Sequence, residues 1–257
     1  MFNSRACRRA LAAALLTAAV WLTAAASASA QTVATVTPNQ AGKASRLHWT
    51  IDGRLPPING QIPRSLTFSA PPGFKLDPAA AAKRCKPLQA KLDECPKKSL
   101  IGSAVMTIHV EKPSGPRDAP IDIKLYLGPK NSLLAVALFA GIHVVPGSIS
   151  GSGGITVTFN PLPTPPVIPQ VSYGFVGVTL DLGTSRTVHK GHKGKKGHRR
   201  KKRRKTVRYN LVTNPPDCAA GSWTFSTTVG LPDGTSPVFP SPVPCTGAST
   251  TARVGTP

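Results

Sequence analysis

From Leu47 onward the apolar residues of this chain fall mostly on every second position, and that alternation narrows the possible folds more than any other feature. Leu47, Trp49 and Ile51 alternate with polar neighbours, and so do Ile121, Ile123, Leu125 and Leu127. The same holds for Ile155, Val157 and Phe159, for Val176, Val178, Leu180 and Leu182, and for Trp223, Phe225 and Val229. Successive side chains of a strand point to opposite faces, so this pattern marks half-buried strands with one face on a core and one in water. Leu133 to Phe139 is apolar on both faces and reads as a central strand, and Met106, Ile108 and Val110 suggest another. With 27 prolines and 23 glycines scattered through the chain, there is little room for long helices. Short strands separated by turn-rich joins predict an all-β fold, a β-sandwich.

One helical signal stands apart. Asp77-Pro78 followed by Ala79 to Ala82 combines an N-cap acid, proline at the first helical position and strong helix formers. It predicts one short helix that ends before Pro87. The segment 160–170, NPLPTPPVIPQ, holds five prolines and cannot be an interior strand. It reads as an extended connection between sheets.

The first thirty residues carry the pattern of a secretory signal peptide. Arg5, Arg8 and Arg9 precede the apolar run Ala10 to Leu22, and Ala28-Ser29-Ala30 offers small residues for cleavage before Gln31. About thirteen strongly apolar residues are too few for a comfortable membrane span. Export, with no membrane span after cleavage, leaves residues 31–257 as one domain with four cysteines: Cys85, Cys95, Cys218 and Cys245. An even count outside the cell reads as two disulfides, of which three connectivities are possible. The pairs local in sequence, Cys85–Cys95 and Cys218–Cys245, are favoured because each brackets a short segment rich in Pro, Lys or Gly. Zinc is disfavoured by the spacing and the compartment.

The formal net charge of +22 is unevenly spread. Without the leader's three arginines it is +19, and without the thirteen cations between Arg186 and Arg208 it falls to +6. Those cations include Lys190, Lys193, Lys195, Lys196, Arg199, Arg200, Lys201, Lys202, Arg203, Arg204 and Lys205. The run lies between two alternating stretches, Val176 to Leu182 and Val207 to Leu211, which predicts an antiparallel pair joined by a long, disordered basic hairpin loop, residues 184–206. Expanding a two-residue turn to that length costs only about 2 kcal/mol of closure entropy. The run holds no aromatic residue for base stacking and no scaffold for groove reading, so sequence-specific nucleic-acid recognition is not expected. What remains is salt-dependent attraction to polyanions such as anionic cell-wall polymer.

Catalytic and metal-binding patterns are sparse, and no cofactor is expected. GSISG at 147–151 places Ile149 where a nucleophilic serine belongs, and the carboxylates are dispersed apart from Asp93-Glu94. His189, His192 and His198 sit among cations that oppose a bound metal. His48, His109 and His143 are isolated histidines within or beside predicted strands. The expected role is a non-catalytic binding or structural protein of the cell envelope or extracellular space. Its rival is a secreted hydrolase of wall polysaccharide whose site is assembled only in the fold.

Three stretches together resemble an uncharacterised family of secreted, disulfide-bonded actinobacterial proteins. They are Thr37 to Gly42 (TPNQAG), Cys85 through Cys95 to Gly102 (CPxxSxxG at its end), and Cys218 through Trp223, Phe225 and Asp233-Gly234 to Cys245. The resemblance implies an exported, disulfide-bonded, β-rich protein. It implies no activity, and the basic run departs from its pattern.

Overall fold

The alternating runs become strands of one continuous antiparallel sheet. The computed structural model describes residues 32–77, 81, 83–112, 115–139, 141–150, 154–163, 168–183, 186–189, 206–209 and 211–247. The chain divides into Met1–Ala30 and Gln31–Pro257, and every described residue belongs to the second unit. The expected leader, residues 1–30, and the cations Lys190 to Lys205 lie outside the described residues.

The first half of the unit contributes β1 (Thr32–Thr37), β2 (Ala44–Asp52), β3 (Ser65–Ser69), β4 (Lys75–Leu76), the helix α1 (Pro87–Lys91), β5 (Leu100–Glu111) and β6 (Arg117–Leu127). The second half adds β7 (Ser132–Leu138), β8 (Ile142–Ser150), β9 (Thr156–Phe159), β10 (Ser172–Leu182), β11 (Arg186–His189) and β12 (Thr206–Tyr209). It ends with β13 (Val212–Thr213), β14 (Ser222–Gly230) and β15 (Val238–Pro244). Hydrogen-bonded neighbours run β15-β14-β3-β9-β8-β7-β6-β5-β10-β2, with β1 beside β2 and the short β13 and β4 branching from its start.

The sheet folds over its own core, so the two layers of a sandwich are two halves of one sheet. Its ends meet where β1 lies beside β15: Ala34 N–H donates to Ser241 Oγ at 2.8 Å, and beyond the strands Thr246 N–H donates to Asn39 O at 3.0 Å. Every second residue along the later part of β15 is a proline: Pro240, Pro242 and Pro244. Proline has no N–H, so this edge lacks the donors for a regular ladder, and the seam is closed by side chains and flanking turns instead.

Two bulges give the sheet its bend. Register shifts between Phe175 and Gly177 against β5, and between Leu100 and Gly102 against β6. An extra residue on one strand raises the local twist and curls the sheet. Both glycines are needed sterically: a Cβ on Gly102 would meet Asp181 O at 2.1 Å, and one on Gly177 would meet Ile51 O at 2.5 Å. The β10 bulge also corrects one expectation. Phe175 points into the core at 1% exposure, and Val176, expected inward by simple alternation, is only half-buried.

β7 is buried on both faces, as its sequence predicts. Leu133, Ala135 and Ala137 face the main core, and Leu134 and Val136 face a second cluster with Cys85, Ala90 and Tyr126. That cluster exists because α1 lies across the outer face. The expected helix at 78–82 lies almost wholly outside the described residues, of which only Ala81 falls within it as a bend; the described helix begins at Pro87. Proline stops a preceding helix but is well suited to the first position of a new one, where no N–H is needed. Gln89 Oε1 then accepts the Lys86 N–H at 3.0 Å.

Both disulfides join the expected pairs, Cys85–Cys95 with Cα atoms 5.1 Å apart and Cys218–Cys245 at 5.9 Å. The expected pairing of Val176–Leu182 with the strand beginning at Val207 is not found. β10 is already flanked on both sides, by β2 and β5, and β11 pairs with β12 in a separate two-stranded ribbon. The basic run therefore continues from that ribbon, and residues 186–189 and 206–209, expected within or beside a disordered loop, form its ladder.

Candidate functional site

Between the two layers lies a cavity of about 280 Å³. One wall is made by successive rows of β5, β6, β7, β8 and β10. Register places Leu180, Ala104, Ile123, Ala137 and His143 in one row, with Met106, Ile121 and Val178 in the next. The facing wall is Leu66, Phe68 and Phe159 of β3 and β9. The hollow has a simple origin in sequence: Ala104, Ala135 and Ala137 occupy inward positions where a larger aliphatic residue would fill the space.

The cavity opens at the end of the sheet where β10 begins. Its lining passes from Leu125, Ala135 and Val145, all buried, to the half-buried Met106, Ile121 and Phe139 and the exposed His143. Ile62 and Pro63, from the β2–β3 loop, and Leu162 and Pro163 complete the mouth. The latter two begin the proline-rich connection, which must carry the chain from β9 to β10 across the end of the sheet because β8, β7, β6 and β5 separate them. The described part of that segment is a connection and not a strand, with a bend at Pro161 and a turn at Pro169–Gln170, but it joins strands of one sheet, and its role in lining a mouth was invisible in sequence. Residues 164–167 lie outside the described residues.

Chemically the lining is uniform. Among the described residues it holds no carboxylate, lysine, arginine or cysteine, and His143 is its one titratable side chain. The His143 ring is held at the rim by a 2.9 Å hydrogen bond between Nε2 and Phe139 O. An enclosed cavity of about 150 Å³ lined by aliphatic and aromatic groups binds benzene and excludes water, and this lining is of the same chemical kind. A second depression of about 180 Å³, bordered by Pro146, Ser148, Thr158 and Asn160, also lacks an ionisable side chain.

Among the described side chains, the two other histidines, His48 and His109, lie away from the cavity lining and are each paired with a carboxylate. His48 Nδ1 lies 2.8 Å from Asp181 Oδ1 across the β2–β10 ladder, and His48 Nε2 lies 3.3 Å from Thr50 Oγ1. The connectivity is that of an acid, a base and a hydroxyl, but the His48 and Asp181 side chains are 40% and 54% exposed on a strand face. Such a cross-strand pair has neither a concave substrate site nor the water exclusion that acyl transfer needs. His109 Nδ1 bonds Asp118 Oδ1 at 2.8 Å, and Arg54 bonds the other oxygen, tying the β2–β3 loop to β6. The His109 hydrogen bond is the largest influence and holds the Asp118 carboxyl below its ordinary value against the opposing effect of desolvation, with the Arg54 charge adding to the lowering. Asp93, two residues before Cys95, pairs with Lys124 at 3.0 Å, which raises the lysine's affinity for its proton. No group of three or more His, Cys, Asp or Glu side chains is arranged to hold a metal among the described residues.

The three stretches that carry the family resemblance have structural work to do. Asn214 is buried and its Nδ2 donates to Pro38 O and Gln40 O, both at 2.8 Å, pinning the TPNQAG turn. In CPxxSxxG, buried Ser99 donates its hydroxyl to Pro96 O at 2.6 Å, and Gly102 makes the bulge. Trp223 Nε1 donates to Asp217 O at 3.3 Å beside the Cys218–Cys245 bridge, and Asp233 accepts from Thr235 in the β14–β15 turn. These hydrogen bonds help the chain close on itself. The cysteines are placed as expected, the cationic residues Lys190 to Lys205 are outside the described residues, and the cavity residues were missed as a site. Their signal was present only as alanines at inward positions of adjacent strands. No protein-family model, no curated protein and no solved structure matches this chain.

Proposed function

We propose that this is a non-catalytic binding protein of the cell exterior that takes one apolar chain into the cavity between its sheet halves. The observation that carries the reading is the wall itself: aliphatic and aromatic on every side, open at one end, with a single imidazole at the rim. Scaling from a benzene-sized hollow, its volume suits an apolar group of about ten to twelve carbons. Each buried methylene contributes about 0.8 kcal/mol, so such a chain binds well without any polar contact inside. A hydrolase of wall polysaccharide needs two carboxylates facing its substrate, and the described lining offers none. Two disulfides support an oxidising compartment, and no described helix is long and apolar enough to cross a membrane. On this reading the cationic run, which follows the opposite end of β10 from the mouth, holds the protein on anionic polymer by charge alone.

Calorimetric titration with decanoic acid below its aggregation range tests the proposal. One equivalent should bind, and the double substitution Ala104→Leu and Ala137→Leu should abolish binding by filling the hollow. Absence of binding to the unmodified protein, or binding indifferent to the two leucines, would overturn it.

A further inference from the structure

The rim of the cavity is uneven, and its low side is apolar on both faces. β5, β6 and β10 run on past the level of Ile121 to Glu111, Arg117 and Ser172, whereas β7 and β8 stop at Leu138 and Ile142. The mouth therefore opens sideways over the β7–β8 turn, where Phe139 N–H bonds Gly141 O at 3.0 Å. On the inner side of this tip stand Phe139 and His143, in the cavity lining. On the outer side stand Leu138 and Ile142, directly opposite each other and 46% and 42% exposed. The outer face of a water-facing antiparallel hairpin is ordinarily polar. The neighbouring β5–β6 hairpin end follows that rule, with Glu111, Lys112, Arg117 and Asp118.

We infer that the β7–β8 tip is a lipid-contacting lip, which dips into the surface of a bilayer so that a chain passes between the membrane and the cavity without crossing water. The inference rests on the cavity's binding an apolar chain and adds where that chain comes from. Continuity is the argument for this occupant. The exposed apolar residues adjoin the mouth, and a chain leaving by that path slides over Phe139 and then Leu138 or Ile142. If the lip stood in water, each methylene would be hydrated during transfer, at a cost that grows with chain length. Insertion is shallow. Asp122 occupies the position on β6 across from Leu138, and Lys124 with its partner Asp93 lies two residues farther from the tip, so charged groups meet the headgroup level once the tip is covered. That depth suits an interfacial contact of about 5–10 Å and not a span.

Flotation with vesicles of neutral phosphatidylcholine tests this, in about 0.5 M salt so that screening suppresses attraction by the basic run. The full chain should float, and the variant Leu138→Ser with Ile142→Ser should lose vesicle affinity on the order of tenfold or more through lost apolar burial. The same variant should bind decanoic acid in vesicle-free buffer as the unmodified protein does, which also shows that it folds. A full chain that stays with the soluble fraction overturns the inference, and so does a variant that floats equally well. A self-association in sedimentation velocity that the two serines abolish, with no vesicle binding, overturns it in favour of a second copy on the same tip. Flotation lost in the variant while decanoic acid fails to bind even the unmodified protein sinks the cavity reading and leaves the lip.

Discussion

The two ends of the core are filled in opposite ways. Toward the chain termini and the Cys218–Cys245 bridge, aromatic rings occupy the space between the layers. Trp49 meets Phe225 edge to face at 5.5 Å, and Phe74 lies 5.1 Å from both Trp223 and Phe225. Toward the mouth the inward residues of the long strands are alanines and aliphatics, and the layers enclose a hollow. A sandwich holds its layers about 10 Å apart whatever lines them. Where large rings span that gap the core is solid, and where alanines face it a void remains. The contrast teaches that the aromatic end supplies the stability that allows the other end to stay empty. Interlocked T-shaped rings each add roughly 0.5–1.5 kcal/mol beyond their area burial, and an empty cavity forfeits contacts that a packed one has. Trp49 qualifies the picture slightly. Its buried Nε1 finds no hydrogen-bond acceptor among the described residues, and Phe68 and Phe225 pack beside its ring.

The comparison breaks most visibly at the aromatic end. Phe225→Ala removes a fully buried ring that touches both Trp49 and Phe74, and should cost about 3–5 kcal/mol by urea unfolding. A cost below about 1 kcal/mol would mean that the two ends do not differ as described.

Removing the Cys218–Cys245 bridge by paired alanine substitution should cost about 3 kcal/mol through the freedom returned to the unfolded chain. Its cysteines pack against the main core, whereas Cys85 and Cys95 serve the small cluster under α1. Loss of Cys85–Cys95 should therefore leave the near-ultraviolet circular dichroism of the tryptophans intact, and loss of Cys218–Cys245 should alter it.

At the hollow end the expected sign is different. Ala104→Leu with Ala137→Leu adds methyl groups to open space, so unfolding in urea should shift by less than about 1 kcal/mol, or toward stability, while ligand binding disappears. A loss of several kcal/mol would show that the alanines face packed neighbours.

The smallest effect concerns the β5–β6 hairpin end, where Asp118 ties Arg54 of the β2–β3 loop to His109. Its carboxyl is held below the ordinary 3.8, so the stability it contributes is present above that value and is lost as pH falls through the lower, folded value. Asp118→Asn should lower the melting temperature slightly near neutral pH, and the difference from the unmodified protein should vanish in strong acid. A difference that persists there would assign the effect to something other than the carboxylate charge.

Period-two alternation was enough to place strands at Leu47–Ile51, Ile121–Leu127, Ile155–Phe159 and Trp223–Val229, because which face of a strand is buried is a local property of residue order. Both disulfide pairs were legible for a similar reason: each closes a segment short enough that its ends cannot wander far. Strand partners were not legible. Val176–Leu182 and the stretch from Val207 look like a hairpin by proximity, yet β10 pairs with β2 and β5, because long-range partners are chosen by the packing of the whole core. The bulge at Gly177, which turns Phe175 inward in place of Val176, depends on the backbone of β2 passing within reach of that glycine. The helix that starts at Pro87 was not legible because proline serves equally as a stop and as a start, and only the packing of Ala90 under β7 and β8 decides between them. The cavity is the clearest case. Ala104, Ala135 and Ala137 are unremarkable apart; three strands in register place them against one space, and a void is a property of what surrounds it, which no single stretch of sequence contains.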